Sequence, residues 1–423
     1  MTARFPFEPA EQFFEPEVRS LLRYADVYVV PTRPRGNILH YDLGAAKVLR
    51  LALSERSVLH SAWREFARHP VAVARLLAHV TLARSAPRAR IVNFLSFPTG
   101  LALADEVRRL GIEHIHAQWL TSPATVGYVA SLLTGVPFSA SAHQHDIFFD
   151  NLVVPKAAHA RFVRVISDRN RHHLEKRLPP ALRGRSCTVH LGVEVPAAPA
   201  HPSHRVPRIL CAARLCPWKG HRYLLAALAL LRDRGVPFEC DLAGDGELRR
   251  EVAATIARYG LAGRVRMLGN LAHPDLLESI GRGDYDLFAL ASTERPGEHE
   301  GIAVAAMEAM AAGLPVVATR TGSLGELVDA DCGILLPQRD PELFAGALGR
   351  LLDDPALRKR LGQAGRRRVL AKFSTESTTF ALAQLLGAVP ATAIGPDYRA
   401  PIGLPSHGEG NVGALAAWKD AVS

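Results

Sequence analysis

The sequence predicts an α/β protein made of two doubly wound domains, each built on a parallel sheet. Short apolar or β-branched runs alternate with longer stretches of helical periodicity, which is typical of parallel α/β construction. The alternation pauses at the proline-rich stretch 195–207 and then restarts. The chain has 423 residues, of which 48% are apolar, so it can fill two cores of roughly 150–200 residues each.

The alternation also indicates how the chain is divided. We expect an N-terminal domain over residues 1–197 and a C-terminal domain over residues 208–373, joined by a linker within 195–207. A further helix, 374–389, should pack back on the N-terminal domain. The last residues, 390–423, are rich in glycine, proline and alanine, and we expect a mobile tail there.

The N-terminal half carries six predicted strands, which are 26–32, 90–96, 112–118, 137–143, 161–167 and 186–192. Between the first two, residues 61–85 have apolar positions at every third or fourth residue, which predicts a helix. A Rossmann-like half opens with a strand and a tight turn, but this chain begins MTARFPF. We therefore expect the first strand to be missing or vestigial.

The C-terminal half repeats the pattern more regularly. Its predicted strands are 208–214, 238–244, 264–269, 285–291 and 315–319. The helices predicted between and after them are 221–235, 246–260, one around 302–312, 341–354 and one that ends near 373. This order predicts a second doubly wound unit.

Composition limits the classes of partner. The net charge of +10 attracts anionic partners without identifying them. Aromatic residues make up 7%, and no helix-turn-helix, RNA-recognition or zinc-finger signature is visible, so we expect no nucleic-acid partner. No stretch reaches the roughly 20 uninterrupted apolar residues of a membrane span. The first residues have no apolar core of the kind a signal peptide needs, and we expect none.

The five cysteines are odd in number and scattered along the chain. This distribution argues against a disulfide framework or a zinc site. We expect reduced thiols that serve as small apolar core residues in a cytoplasmic protein.

Residues 156–185 form a basic segment, with nine Lys or Arg against two Asp or Glu. The segment has two interpretations. Its cations cover a solvated helix face, or they contact an anionic membrane surface, where each would add about 1 kcal/mol. The second interpretation would place the protein peripherally at the inner face of the plasma membrane.

The strongest chemical signal is the stretch ERPGEHEGIAVAAMEAMAAGLPVVATRTGSLGELV at 294–328. Glu300 lies in the loop after a predicted strand, and Gly301 and Ile302 lead into a predicted helix. A helix N-terminus offers unpaired N–H groups and partial positive charge, which suit a diphosphate. Glu308, about two turns further, can accept hydrogen bonds from vicinal hydroxyls, as an acidic residue does with ribose in dinucleotide folds. The structural alternative is a loop carboxylate and an interhelical salt bridge.

A second signal is AARLCPWKGHRYLLAAL at 212–228, in which Arg214 ends a strand and Lys219 precedes a helix. Two cations on one strand-to-helix loop can neutralise a departing pyrophosphate, although two solvated cations would look the same. The turn AGDG places Gly244 where a glycine permits close packing under a nucleotide. Asp245 next to it is first of all a turn and helix-capping residue.

A third signal is a group of histidines in IEHIHAQWLTSPATVGYVASLLTGVPFSASAHQHDIF at 112–148. His143 ends a predicted strand, and this rim is where open α/β sheets contact their ligands. His145 and Asp146 are close by and compete for that role. His116 lies near the rim of its own strand. Each histidine could equally be a satisfied structural residue.

These motifs resemble those of a known family. The stretch 294–328 resembles the E-x7-E element of glycosyltransferase family 4, whose members are retaining enzymes of the GT-B type. The segment 212–228 is similar to the family's G-R-L…K-G segment, with Ala213 in place of the usual glycine. The stretch 112–148 resembles the histidine-rich segment of exopolysaccharide-building members, including colanic-acid-type enzymes, with Gln118 where a third histidine is common.

The resemblance spans about residues 5–385 and implies two Rossmann-like domains that face a cleft. It implies that Glu300 contacts the donor sugar and that Glu308 contacts the nucleotide ribose. The remaining implied roles are donor phosphate binding by Arg214 and Lys219, donor-site backbone at Gly244, Gly301 and Ile302, a donor-sugar contact by His143, and acceptor-side contacts by His116 and Asp146.

The implied activity is transfer of a sugar, with retention of anomeric configuration, from a nucleotide sugar to a glycan or lipid-linked acceptor in cell-surface polysaccharide synthesis. We expect a UDP- or GDP-sugar as co-substrate and no separate cofactor. We also expect no metal, because we identify no D-x-D motif and because Arg214 and Lys219 would take the place of a metal at the diphosphate. The alternatives are a GT-B sugar-nucleotide epimerase or phosphorylase, and a nucleotide-sugar-binding protein without turnover.

Overall fold

The structure, a computed structural model, describes residues 1–390 except 9, 10, 12, 37, 54, 84, 198–203 and 296–299. Most of the predicted tail and the middle of the predicted linker lie outside the described residues. The chain divides into two compact units, one of residues 1–191 with those from Thr378 onward, and one of residues 192–377. Both units combine α-helices with parallel β-sheet, so the predicted α/β class is confirmed.

The described elements of the first unit are, in chain order, α1 (Phe14–Leu21), β1 (Tyr28–Val29), β2 (Lys47–Val48), α2 (Arg56–Arg68), α3 (Pro70–Leu82), α4 (Pro87–Leu110), β3 (Ile115–Ala117), α5 (Ser122–Thr134), β4 (Phe138–Ala142), α6 (Gln144–Phe148), α7 (Val153–His159), β5 (Val163–Val165), α8 (Asp168–Arg177) and β6 (Ser186–Thr188). Strands β3, β4, β5 and β6 form a parallel sheet in that order. Strands β1 and β2 pair in parallel with each other.

The first two residues of the chain take the place of an opening strand. The backbone N–H of Thr2 donates to the Val30 carbonyl at 3.0 Å. On the other side, the Met1 ammonium donates to the His116 carbonyl and the Gln118 N–H donates to the Met1 carbonyl, both at 2.8 Å. The predicted vestigial strand is therefore a two-residue segment that hydrogen-bonds to the chain on both sides.

The predicted strand 90–96 is wrong, because these residues lie inside helix α4. Its run RIVNFLS is apolar, but Ile91, Phe94 and Leu95 are exposed while Asn93 is buried. This spacing of three and four is that of a helix with one face to solvent. A short apolar run does not by itself separate a strand from a helix.

The predicted helix 61–85 is two helices, α2 and α3, which meet at His69 and Pro70. Proline has no N–H to continue the hydrogen-bond ladder of a preceding helix, but it is well suited to the first turn of a new one. Pro70 accordingly begins α3.

The described elements of the second unit are β7 (Arg208–Ala212), α9 (His221–Asp233), β8 (Glu239–Ala243), α10 (Arg249–Arg258), β9 (Val265–Gly269), α11 (His273–Arg282), β10 (Leu287–Leu290), α12 (Val304–Ala311), β11 (Val316–Thr319), α13 (Leu324–Leu327), β12 (Ile334–Leu336), α14 (Pro341–Asp353), α15 (Pro355–Lys372) and the start of α16 (Thr375–Leu386). The six strands form one parallel sheet in the order β12-β11-β10-β7-β8-β9. The predicted strands and helices of this half are thus present, with ends that shift by a few residues.

The central strand β7 shows why this unit is doubly wound. Its alternate residues Ile209 and Cys211 belong to one apolar core, while Leu210 and Ala212 belong to another. Successive side chains of a strand point to opposite faces, so each face of the sheet is covered by its own layer of helices.

Helix α16 continues from the second unit into the first. Its buried Ala381, Leu382 and Leu385 pack in one cluster with Leu21 and Phe162 of the first unit. No helix among the described residues combines the length and the apolar character needed to cross a lipid bilayer.

All five cysteines are buried and unpaired, as predicted for core residues. Burial raises the pKa of the Cys211 thiol to about 12, because an apolar environment disfavours the thiolate. These thiols therefore act as packing groups.

Candidate active site

The predicted donor-site residues lie at the carboxyl edge of the six-stranded sheet. Arg214 and Lys219 follow β7, Gly244 follows β8, and Glu300 follows β10. Parallel strands end at the same edge of a sheet, and this edge is where open α/β folds bind ligands. The second unit therefore gathers these residues through its topology.

Two glycines let the loops at this edge approach each other. A Cβ on Gly220 would lie 1.8 Å from the Ala291 carbonyl oxygen, and a Cβ on Gly322 would lie 1.6 Å from the Glu300 carbonyl oxygen. Both glycines also have φ in the left-handed region, at 66° and 53°. The loop after β7 consequently packs on the end of β10, and the loop after β11 packs on Glu300.

Gly244 packs closely on the loop that follows β7, and its predicted place under a nucleotide stays a prediction. A Cβ there would lie 2.2 Å from the Ala213 carbonyl oxygen. The N–H of Leu215 donates to the Asp245 carbonyl at 3.0 Å. The turn after β8 thus supports the loop that carries Arg214, which is itself exposed.

The approach of the loops places Lys219 beside Glu300. The Lys219 Nζ and the Glu300 Oε1 are 2.6 Å apart, and the Ser292 hydroxyl donates to the same oxygen at 2.6 Å. The Glu300 side chain is 6% exposed and that of Lys219 is 19% exposed. In the free protein these two charges therefore compensate each other in a largely desolvated position. Ser292 is a partner that sequence analysis missed.

Glu308 has a partner that sequence analysis also missed. It lies buried on α12, and its Oε1 is 2.6 Å from the Nε2 of His273, the first residue of α11. The hydrogen bond from His273 to Glu308 raises the pKa of the imidazole above its ordinary value, against the opposing effect of burial. Nothing in the local sequence LAHPDLL indicates this pairing, which depends on two helices separated by β10.

Gly301 and Ile302 lie between Glu300 and the helix that follows. Helix α12 begins at Val304, two residues later than expected, and no side chain caps its N-terminus. Both residues are partly buried. The first turn of α12 therefore has N–H groups without a side-chain acceptor, which is the feature that suits an anion.

In the first unit, His143 follows directly after β4 and precedes α6. Its ring is 7% exposed and lies 4.2 Å from the Trp119 ring, centroid to centroid. Phe13 and Phe14 pack around it at centroid distances of 6.1 and 6.2 Å. The Nδ1 lies 3.7 Å from the Asp146 Oδ2, and within the described part of the chain neither ring nitrogen has a partner at full hydrogen-bond distance. A buried imidazole in that condition has hydrogen-bonding capacity left for a ligand.

Asp146 supports the backbone around His143. Its Oδ2 accepts from the N–H of Leu120 at 3.0 Å and from the N–H of His143 at 3.2 Å. The buried Lys156 donates to the Leu120 carbonyl at 2.9 Å. Sequence analysis included Lys156 in the basic segment but did not predict this role. Burial lowers the pKa of Lys156 well below its ordinary value. These contacts fix the loop that carries Trp119 over His143, and they favour a positioning role for Asp146.

His116 lies within the sheet of the first unit. Its Nδ1 is 2.7 Å from the Ser139 hydroxyl and its Nε2 is 3.0 Å from the Ser141 hydroxyl. Burial lowers its pKa well below the ordinary value. Both nitrogens of this ring thus contact serines of the neighbouring strand β4, and an acceptor contact by His116 stays a prediction.

Several cations of the basic segment 156–185 make contacts within the fold. Lys156 and Arg164 are completely buried, and Arg164 pairs with Glu17 at 2.6 Å. The Arg185 guanidinium donates to the Ala160 carbonyl at 2.8 Å. Several of its nine cations therefore have structural roles and do not face a membrane.

The expectation that the sequence lacks a D-x-D motif is wrong, because residues 284–286 and 329–331 are Asp-x-Asp strings. Asp286 accepts from the imidazole of His204 and the N–H of Arg208, both at 2.8 Å. Asp329 pairs with Arg368. These carboxylates have internal partners, and no group of three or more metal-ligating side chains occurs among the described residues.

Comparison with known proteins shows what this chain resembles. Residues 199–368 match the family model described as glycosyl transferases group 1. The chain is 36% identical to the MMP alpha-(1->4)-mannosyltransferase of Mycolicibacterium hassiacum over 176 aligned residues. This alignment covers 40% of each protein. It is 34% identical to the putative colanic acid biosynthesis glycosyltransferase WcaL of Escherichia coli over 201 aligned residues. This alignment covers 47% of each protein.

A longer match is 26% identical over 318 residues and covers 69% of this chain and 81% of the relative. That relative is the GDP-mannose-dependent monoacylated alpha-(1-6)-phosphatidylinositol monomannoside mannosyltransferase of Corynebacterium glutamicum. The two matches at higher identity span less than half the length of the relatives concerned.

Solved structures share the fold over nearly the whole chain. Anabaena HepE in complex with UDP matches with a TM-score of 0.66 at 19% identity, over 92% of this chain and 99% of that one. The sucrose-phosphate synthase of Thermosynechococcus elongatus matches with a TM-score of 0.65 at 20% identity, over 91% and 97%. Residues 199–368 are therefore similar in sequence to the group 1 glycosyl transferases, and the chain has the GT-B fold that its motifs predict.

Proposed function

We propose that this protein is a glycosyltransferase that moves a sugar from a nucleotide-sugar donor to a glycan or lipid-linked acceptor, with retention of configuration and without a metal, in cell-surface polysaccharide synthesis. The observation that supports the proposal best is the pairing of Lys219 with Glu300 at 2.6 Å. This pair lies at the carboxyl edge of the six-stranded sheet, on the loops that follow β7 and β10.

The diphosphate of the donor would be held by Arg214, Lys219 and the first turn of α12. Lys219 is compensated by Glu300 in the free protein, so an arriving diphosphate competes for its ammonium group. When Lys219 turns to the phosphates, Glu300 keeps its hydrogen bond from Ser292 and gains free acceptor capacity for the hydroxyls of the donor sugar. The cations then stabilise the negative charge that develops as the nucleoside diphosphate leaves.

The ribose of the donor would be held by Glu308. Its carboxylate has two oxygens, and one of them receives the hydrogen bond from His273. The other oxygen can accept from the vicinal hydroxyls. His273 fixes the rotamer of Glu308 and so positions it for the ribose.

His143 remains our candidate for a contact with the donor sugar, because it follows β4 at the rim of its sheet and its ring nitrogens have no partner at hydrogen-bond distance among the described residues. No protein nucleophile is needed if the acceptor attacks on the face that the leaving group vacates. The names of the relatives favour a glycan product and a UDP- or GDP-linked donor, since one relative depends on GDP-mannose and HepE was solved with UDP.

A donor screen tests the proposal. Thermal shifts would be measured with UDP-, GDP- and ADP-sugars, and the release of nucleoside diphosphate would then be measured with the stabilising donors in the presence of EDTA. We expect at least one donor that both stabilises the protein and is turned over without metal. Stabilisation with no release of nucleotide, with and without candidate acceptors, would indicate a binding protein without turnover. A response to no sugar nucleotide would contradict the proposal.

A further inference from the structure

The large exposed apolar side chains of the described residues are concentrated in one part of the first unit. Of 16 such residues, 11 lie between Ile38 and Leu95. Most of these 11 lie on α2, α3 and α4, which are consecutive in the chain and pack against one another. Single exposed apolar residues need no explanation, but a concentration of this kind indicates an interaction surface.

Helix α2 presents an apolar stripe to solvent. Leu59, Trp63 and Phe66 are spaced by four and three residues and therefore share one face of the helix. Trp63 is 65% exposed, and its ring stacks on that of Phe66 at a centroid distance of 5.6 Å. The core residues of α2, such as Val58 and Ala62, lie on a different face.

Helices α3 and α4 repeat this arrangement. On α3, Val71 and Leu82 are exposed at 63% and 74%, and Arg75 lies between them on the same face. On α4, Ile91 and Phe94 are exposed at 62% and 56%, again opposite the buried residues. Three neighbouring helices thus each carry an amphipathic outer face.

The charge of this surface has one sign. Residues 56–95 contain seven arginines and one acidic residue, Glu65, which is completely buried. Arg64 and Arg68 pair with the buried Asp105. Four exposed arginines among the described residues of 56–95 have no ion pair, and these are Arg56, Arg75, Arg88 and Arg90. The solvent side of these helices is therefore cationic.

We propose that the outer faces of α2, α3 and α4 form a docking surface for an anionic phospholipid bilayer. Apolar side chains flanked by unpaired arginines match the interfacial layer of such a membrane, where the rings and aliphatic groups enter the acyl boundary and the guanidinium groups meet the phosphates. This proposal concerns binding to lipid and does not depend on the proposed sugar transfer.

Other occupants suit this surface less well. A second copy of the chain would bring an identical cationic face and would be repelled. Residues 391–423 contain three acidic and two basic residues, so they offer almost no compensating charge. A nucleic acid would match the arginines but would leave aliphatic groups such as Leu82 and Ile91 without a suitable contact.

Vesicle flotation with the full chain tests the proposal. Vesicles of phosphatidylcholine with 30% phosphatidylglycerol (a composition chosen for ~30% anionic lipid) would be compared with vesicles of phosphatidylcholine alone. We expect binding to the anionic vesicles that weakens as NaCl is raised from about 0.1 to 0.5 M. The variant Trp63→Ser/Ile91→Ser/Phe94→Ser should lower the partition coefficient by at least about tenfold.

A charge variant has a matched control on the second unit. Arg75→Ser/Arg88→Ser/Arg90→Ser should lower binding by about a hundredfold, since each arginine near an anionic surface contributes about fivefold. The control Lys359→Ser/Arg360→Ser/Arg367→Ser removes the same charge from exposed positions of α15 and should change binding much less.

Three results would overturn the proposal. One is equal binding of the wild type and both surface variants. Another is an equal loss in the charge variant and its control, which would mean that net charge alone acts. The third is retention on single-stranded RNA with no flotation on anionic vesicles. All the substituted side chains are exposed, so we expect the variants to keep the thermal midpoint of the wild type. Measuring the thermal midpoint of each variant shows whether a loss of binding is due to unfolding.

Discussion

Lys219 and Glu300 illustrate how one ion pair can prepare a site for a ligand. In isolation each would be costly in a largely desolvated position, and together they compensate each other. An anionic ligand can therefore bind there by exchange, without first dehydrating a free ammonium group. This gives the pair two separable effects, one on stability and one on ligand affinity.

The substitution Lys219→Met should separate these effects. We expect the Kd for UDP or GDP, measured by calorimetry, to rise about 10- to 100-fold, because a hydrogen bond to a charged group contributes about 1.5–3 kcal/mol. The variant should also unfold more readily, since Glu300 loses its counterion. Lys219→Met/Glu300→Gln should recover stability without recovering affinity. An unchanged Kd in Lys219→Met, with Lys359→Met on the exposed face of α15 as control, would refute the assignment.

The His273–Glu308 pair predicts a pH dependence with a definite sign. The pKa of His273 is raised in the folded protein, even though the N-terminus of α11 disfavours a cation. The pair therefore stabilises the fold fully below the unfolded pKa of about 6.5, and the contribution is lost as pH rises through the folded pKa. An NMR titration should show His273 above its ordinary pKa in the wild type and lower in Glu308→Gln. The exposed Glu278→Gln on α11 should leave it unchanged, and a shift of the same size there would contradict this account.

At the level of loops, glycines decide which segments can meet. Gly220→Ala and Gly322→Ala each place a Cβ within 2 Å of a carbonyl oxygen and at positive φ, so we expect a loss of more than about 1 kcal/mol in unfolding free energy. Gly281→Ala, inside α11 with open space around it, should be neutral or stabilising. Chemical denaturation of the three variants checks this, and equal effects would show that the close approach is not required.

The loop that carries Trp119 depends on a buried lysine. Lys156→Met removes the donor for the Leu120 and Thr121 carbonyls, which Lys156 contacts at 2.9 Å. The Thr121 carbonyl keeps its hydrogen bond from the Thr125 N–H, but the Leu120 carbonyl loses its donor, and a buried acceptor left unsatisfied costs about 1–3 kcal/mol. We therefore expect a fall of that size in unfolding free energy. Lys176→Met on the exposed side of α8 serves as the control. If the two variants lose equal stability, Lys156 does not hold this loop.

Loops and helices also show where the sequence was informative. Most of the second unit was predicted, because β7, β8, β10 and β11 are almost wholly buried and alternate with helices. Helices α11 and α13 and strand β12 were not predicted, and β12 is only partly buried. The run 90–96 misled prediction, because Ile91, Phe94 and Leu95 are apolar yet exposed. Prediction from hydrophobic patterns assumes that apolar residues are buried. It fails where apolar residues lie on the surface, as they do on α4.

Considered as a whole, the chain combines a family signature in one unit with a fold that extends over both. The motifs around Glu300 and Lys219 were visible in the sequence because their chemistry is local to a loop and a helix start. The contacts to Ser292 and His273 were not, because residues from different strands and helices meet there only after folding. The vestigial first strand was foreseen from the shortness of MTARFPF, but its hydrogen bonds to the chain on both sides were not.

The central claim is that the carboxyl edge of the second unit's sheet binds the diphosphate of a sugar nucleotide. A crystal structure of the protein with bound UDP or GDP tests it most directly. We predict that the phosphates lie within hydrogen-bond distance of Lys219, Arg214 and the first turn of α12, with the ribose on Glu308. Phosphates bound elsewhere, with the Lys219–Glu300 pair undisturbed, would contradict the claim.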